Sequence, residues 1–390
     1  MFERILTINL PEKQSIFFWG ARQTGKSSYL RKMFKDSIYY DLLDSGELSR
    51  FMRSPHLLRQ EILASSKEKL KHPVIIDEVQ KVPELLNEVH WLIENSAAKF
   101  ILCGSSARKL KTRSTNLLGG RAWEYDFFPL VFTEIPDFDL LRALKQGLIP
   151  RHYLSEKKYV AEHHRAYVDL YLRDEIRNEG LVRNLQTFSR FLEVAGMGNT
   201  EMINAANIGR DCGVSSATVK GYYQILMDTL LGYSIYPYNK KIKRDVVTAT
   251  PKFYFFDVGI ANFLAGQAVD TLKGALAGKA LESYIAMELM AYRGISRKQF
   301  DIFYWRTKTG LEVDFILGRA QVAVEVKIST QVHQQDLKGL IAFCEENPTV
   351  EPIVVSQDVR ERRLVVNETL VIRIVPWKVF LVELWGNEVI

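Results

Sequence analysis

"FFWGARQTGKSSYLRKMF", residues 17–34, decides how the rest of the chain is read. An apolar run ends at Gly20, a glycine-bearing loop follows, and Lys26-Ser27-Ser28 opens a stretch with helical spacing. Gly20-Ala21-Arg22-Gln23-Thr24-Gly25-Lys26-Ser27 fits G-x-x-x-x-G-K-[ST], a pattern that carries meaning between a strand and a helix. Gly20 and Gly25 let the backbone curl until its N–H groups face a phosphate, and the start of the helix adds its positive dipole end. Lys26 would reach the outer phosphates of ATP. The Ser27 hydroxyl, with Ser28 beside it, would face the magnesium that accompanies them.

Reading outward from this loop, short apolar runs recur at "SIFFW" (15–19), "SIYYDLL" (37–43), "PVIID" (73–77), "KFILCG" (99–104) and "WEYDFF" (123–128), most of them separated by helical patterns. Continuous apolar strands between helices predict a parallel sheet covered on both faces. "PVIIDEVQ" supplies an acidic pair at a strand end. Asp77 would hold Mg²⁺ through water, and Glu78 would polarise the attacking water. Ser105 or Ser106, after "FILCG", would sense the terminal phosphate. Arg108 or Arg121 would serve as a finger on it, supplied by a neighbouring copy of the chain.

The order of phosphate loop, "IIDEVQ", "ILCGSSARKL…LLGGR" and "FFPLVFTEI" resembles a large prokaryotic family of AAA+-type ATPases, over nearly the whole chain. The resemblance implies an α/β chain in three domains. These are a P-loop parallel-sheet ATPase domain (1–135), a helical segment with a winged helix-turn-helix (136–268), and a C-terminal α/β domain similar to the restriction-endonuclease-like PD-(D/E)xK nucleases (269–390).

The middle segment has the grammar of a helix-turn-helix in "NAANIGRDCGVSSATVKGYYQILMDTLLGYSI" (204–235). A short helix with Ala205 and Ala206 runs to a turn at Gly213, and Ser215 or Ser216 can cap the next helix. Val219, Tyr222, Tyr223, Leu226 and Leu230 form its buried stripe. Ser216, Thr218, Lys220 and Gln224 would face a DNA groove. The basic run "KKIKR", with Lys240, Lys241, Lys243 and Arg244, would track phosphates as a wing, forming a hairpin with "KFYFFDVG".

Near the end, "LEVDFILGRAQVAVEVKIST" (311–330) puts Glu325 and Lys327 on one face of a strand whose other face is Val322, Val324, Val326 and Ile328. Charges inside an apolar strand need partners or metal. Glu282, Asp314, Glu325 and Lys327 match the acidic helix residue, the Asp and the ExK of the PD-(D/E)xK pattern. That match implies Mg²⁺ held by Asp314 and Glu325, with Glu282 beside them, and Lys327 positioning the nucleophile.

Bulk properties bound these readings without choosing among them. With 390 residues, two or three domains are expected. A net charge of +6 suits a nucleic-acid partner but is a weak field over so long a chain. Three dispersed cysteines have no metal or redox spacing and suit a reducing compartment. With no apolar stretch of spanning length, a cytoplasmic location without membrane attachment is expected. Two functions follow: an ATP-hydrolysing, DNA-associated protein with a nuclease-like site, or a regulatory ATPase that works through a protein partner and keeps the C-terminal domain as an inert scaffold.

Overall fold

The computed structural model describes residues 2–11, 14–105, 122–172, 182, 184–239 and 250–390. The chain divides into two compact units, Met1–Leu130 with Asp228–Leu231, and Val131–Met227 with Gly232–Ile390.

In the first unit five strands form one sheet in the order β2-β3-β4-β1-β5. They are β1 (Ser15–Trp19), β2 (Tyr39–Asp41), β3 (Val74–Asp77), β4 (Phe100–Gly104) and β5 (Ala122–Asp126). Every pairing is parallel. Every residue of β1, β3 and β4 is buried, as expected of strands covered on both faces. Leu85, Leu86, Val89, Leu92 and Ile93 of the helix Leu85–Asn95 join Leu58 and Ile62 of the helix Leu57–Ala64 in the core against Phe17, Trp19, Val74, Ile76 and Leu102. Register then does the positioning. Trp19 pairs with Gly104, and Asp77 pairs with Cys103. The residues that follow β1, β3 and β4 therefore emerge side by side at one edge of the sheet.

The second unit holds an eight-stranded mixed sheet, in the order β12-β13-β11-β10-β9-β8-β6-β7. Its members are β6 (Gly232–Pro237), β7 (Lys252–Phe255), β8 (Ile302–Arg306), β9 (Glu312–Leu317), β10 (Val322–Val326), β11 (Glu351–Ser356), β12 (Arg362–Val365) and β13 (Val371–Pro376). β6 and β7 pair antiparallel; the basic run expected to form a hairpin with "KFYFFDVG" lies outside the described residues. Asp314 lies inside β9. The 23-residue helix Gly274–Ser296 is buried on all sides from Ser283 to Tyr292, with the Glu288 carboxyl among those residues.

Glu288 is 1% exposed. It accepts the backbone N–H of Phe132 at 2.8 Å and the indole N–H of Trp385 at 2.8 Å. One side chain thus joins the start of the unit, its long helix and the closing helix Trp377–Trp385. Burial holds its carboxyl up at about 7. Its stabilising share is therefore complete below the ordinary carboxyl value and is lost as pH rises through 7. Glu288→Ala, which strands two buried donors, is expected to cost about 2–5 kcal/mol in chemical denaturation. Glu288→Gln should flatten the pH dependence of stability between 4.5 and about 7. Stability unchanged in both variants would contradict this tether.

Candidate functional site

The loop after β1 is shaped by its backbone. Gly25 has φ 97° and Gln23 has φ 59°, and Gly25 directly precedes the helix Lys26–Met33. A Cβ on Gly20 would come within 2.4 Å of the Phe127 carbonyl oxygen, so only glycine fits there. Thr24 Oγ1 donates to the Ala21 carbonyl at 2.7 Å and braces the turn. Arg4 lies 3.9 Å over the Phe127 ring and donates to the carbonyls of Thr24 and Phe128 at 2.9 and 2.8 Å, tying the N-terminal segment to the loop. The Lys26 ammonium is buried and turns back on its own loop, donating to the Gly20 carbonyl at 2.7 Å and the Ala21 carbonyl at 3.0 Å. Two neutral carbonyls are weak partners for a cation. A phosphate would replace them with charge-assisted bonds.

Asp77 and Glu78 stand across from the loop at the end of β3. Asp77 Oδ2 accepts the Tyr39 hydroxyl at 2.5 Å, and Asp77 Oδ1 accepts the Glu78 backbone N–H at 3.1 Å. Burial, then the Asp77 charge, pushes the Tyr39 hydroxyl well above its ordinary range, so it stays a donor. Glu78 sits at φ 58°, a left-handed backbone in a residue other than glycine. Such a position costs about 1–2 kcal/mol and persists when neighbours hold it. Here they do: Glu78 Oε2 accepts from Gln80 Nε2 at 2.5 Å and from Ser105 Oγ at 3.2 Å, with Arg22 Nη2 3.9 Å away. Arg22 Nε also donates to Ser105 Oγ at 3.4 Å.

The fold therefore brings Gly20 through Ser28, Asp77, Glu78 and Ser105 to one sheet edge. Glycines and inward-curled backbone at the loop fit a polyphosphate. Ser27 and Asp77 are the residues that would hold its magnesium. Ser106, Arg108 and Arg121 lie outside the described residues. Tyr39, Gln80 and Arg4 were not foreseen. Gln80 could have been, because it stands two residues after Glu78 in the same short motif.

In the second unit the helices Ala205–Cys212 and Ser216–Asp228 flank a turn at Gly213, φ 69°. A Cβ on Gly209 would meet the Val214 carbonyl oxygen at 2.6 Å, so the chain doubles back tightly over it. Ser215 caps the second helix, its Oγ accepting from Thr218 N at 3.1 Å. Ser216, Lys220 and Gln224 are exposed, Thr218 is half-buried, and Val219, Tyr222, Tyr223 and Leu226 are buried. Leu230, expected on that stripe, lies beyond the helix end at φ 61° and packs against the core of the first unit. Ser216 and Lys220 share a cavity of about 650 Å³ with Glu201, Asn204 and Arg306. Lys240, Lys241, Lys243 and Arg244 lie outside the described residues.

The C-terminal quartet is drawn together in the same unit. Lys327 Nζ meets Glu325 Oε1 at 2.6 Å, and Asp314 Oδ2 accepts the Val326 N–H at 2.8 Å. Glu282 Oε1 accepts from the Tyr254 hydroxyl at 2.7 Å and from Lys252 Nζ at 3.1 Å. Burial, then the neighbouring Asp314, pushes Glu282 up to about 7 and Glu325 to about 8. Glu325 Oε2 is buried without a hydrogen-bond partner. Among the described residues no three His, Cys, Asp or Glu side chains are grouped to hold a metal ion, and no helix is long and apolar enough to cross a membrane. Lys252 went unread in the sequence, its one signal being a lysine that opens the apolar run "KFYFF".

Residues 12–136 match the family model described as an AAA domain, which supports a P-loop ATPase in this part of the chain. Residues 138–271 and 277–378 match two models described as domains of unknown function, DUF8612 and DUF4143. No curated protein matches. Among solved structures, the Aeropyrum pernix ORC1 protein in complex with DNA is similar at 14% identity and a TM-score of 0.29, covering 65% of this chain and 86% of that one. A likeness of that size carries no inference.

Glu78, held by Gln80 and Ser105, is the residue that would polarise water rather than grip phosphate. Glu78→Gln is expected to keep ATP binding and lose turnover by about tenfold or more. Loss of binding, measured by titration calorimetry, would make Glu78 structural.

Proposed function

We propose that this chain is an ATP-hydrolysing, DNA-associated protein. The observation that carries the ATPase half is the convergence of Gly20–Ser28, Asp77, Glu78 and Ser105 on the edge of a parallel sheet, within the region that matches the AAA domain. In this reading the loop N–H groups and Lys26 bind the phosphates, Ser27 and Asp77 hold Mg²⁺, Glu78 orients water, and Ser105 links the γ-phosphate to Glu78 and Arg22. An arginine from a second copy, Arg121 in this proposal, would complete the site in a homo-oligomer.

DNA is proposed as the partner on chemical grounds. The Ser216–Asp228 helix presents exposed Ser216, Lys220 and Gln224, and Lys220 shares its cavity with Arg306. Two cations beside small hydrogen-bonding side chains suit a phosphodiester backbone. The three-domain division at 135/136 and 268/269, with a helix-turn-helix segment and a nuclease-like C-terminal domain, belongs to this proposal, as does a cytoplasmic location. A second reading gives Asp314, Glu325 and Lys327 metal-dependent cleavage. The buried, unpartnered Glu325 Oε2 favours it, and cleavage of linear, branched and single-stranded DNA with Mg²⁺ or Mn²⁺ tests it.

Lys26→Ala should abolish ATP binding, since no other side-chain cation is buried in the loop. Undiminished hydrolysis would remove the phosphate-loop assignment. Lys220→Glu should weaken DNA binding and lower the slope of log affinity against log salt by about one or more. Unchanged affinity and slope would shift the partner from DNA to protein.

A further inference from the structure

The carboxylates clustered in the C-terminal half raise a question of charge balance. Glu282 on the long helix, Glu312 and Asp314 on β9, and Glu325 on β10 lie near one another. Four carboxylates crowded together, Glu325 buried and the others partly so, repel one another unless cations stand between them. In nuclease-like chemistry that cation is a divalent metal. Here another cation is already in place.

Lys252, the first residue of β7, is 3% exposed. Its Nζ lies 3.1 Å from Glu282 Oε1 and is also paired with Glu312 Oε1. Tyr254, two residues along the strand and so on the same face, donates its hydroxyl to the same Glu282 oxygen at 2.7 Å. Arg306 Nη1 takes the other Glu312 oxygen at 2.8 Å. Asp314 Oδ2 is engaged by the Val326 N–H, and Glu325 Oε1 by Lys327. A magnesium ion needs near-octahedral oxygen ligands at about 2.0–2.1 Å. Glu282, Glu312, Asp314 and Glu325 each already spend at least one oxygen on an internal donor, and the residues do not form a ligand set.

We propose that the Lys252 ammonium is the resident cation of this cluster, standing where the carboxylates would otherwise gather a divalent metal, so that the site is closed to metal and serves to bind β7 to β9 and the long helix. The inference is independent of the ATPase reading and is the opposite of the metal-dependent cleavage given above as a second reading, so the test below decides between them. It makes a gain-of-function statement. Removing the ammonium without removing its bulk leaves facing carboxylates with uncompensated charge, which is what a metal site is made of.

The test is Mn²⁺ titration of the full chain without nucleotide, by calorimetry and by melting temperature. It compares wild type, Asp314→Asn, Lys252→Met and the double variant. Wild type and Asp314→Asn should behave alike into the millimolar range. Lys252→Met should gain an Asp314-dependent Mn²⁺ site at least about tenfold tighter than any uptake by wild type. Far-UV circular dichroism and a cooperative melting transition of the full chain report that the variants are folded. Asp314-dependent Mn²⁺ binding in wild type overturns the proposal, as does a folded Lys252→Met chain that gains nothing. A Lys252→Met chain that folds only when Mn²⁺ is present supports it. If that variant folds in neither condition, the wild-type comparison with Asp314→Asn decides, with Asp314-dependent uptake overturning the proposal and its absence upholding it.

Discussion

A charged side chain withdrawn from water costs several kcal/mol unless something replaces its hydration. Lys26 illustrates the constraint. It sits at 5% exposure, and its ammonium is met by two carbonyls of the loop that precedes it. That arrangement needs the loop to curl. The curl needs glycine at 20 and 25, and the loop's position needs β1 in parallel register with β4. Local backbone freedom, sheet register and a buried cation thus form one dependency. Its natural completion is an anion with more charge than a carbonyl.

The same constraint takes another form in the second unit. Glu288 is buried among uncharged donors, the Phe132 N–H and the Trp385 indole, so burial raises its carboxyl toward neutrality and it works as a hydrogen-bond tether. Glu282 and Glu312 are half-buried beside lysine and arginine, so they work as ion pairs. Three carboxylates of one residue type thus act differently because their neighbours differ. Function at each place has to be read from the partners rather than from the residue.

The phosphate loop and the strands around it were legible in the sequence because their signals are local. "SIFFW" and "PVIID" are continuous apolar runs that end in the residues that matter, and they became β1 and β3 within one residue. Asp77 and Glu78 came with the strand. The partners did not, because they arrive through pairing between distant segments. Tyr39 reaches Asp77 across β2 and β3, and Lys252 reaches Glu282 and Glu312 across separations of 30 and 60 residues. A pattern of spacing along one chain carries no record of such meetings. The quartet near the end was readable as residue types, but the lysine that balances it was not, since it lies on another strand altogether.

The central claim is that the edge formed by residues 20–28, 77–78 and 105 holds a nucleotide's phosphates. Amide hydrogen exchange across residues 20–28, with and without a non-hydrolysable ATP analogue and Mg²⁺, tests it most directly. The account predicts that these amides become protected on saturation, because their N–H groups turn from solvent to phosphate oxygens. Unchanged exchange in this loop at millimolar analogue would contradict it.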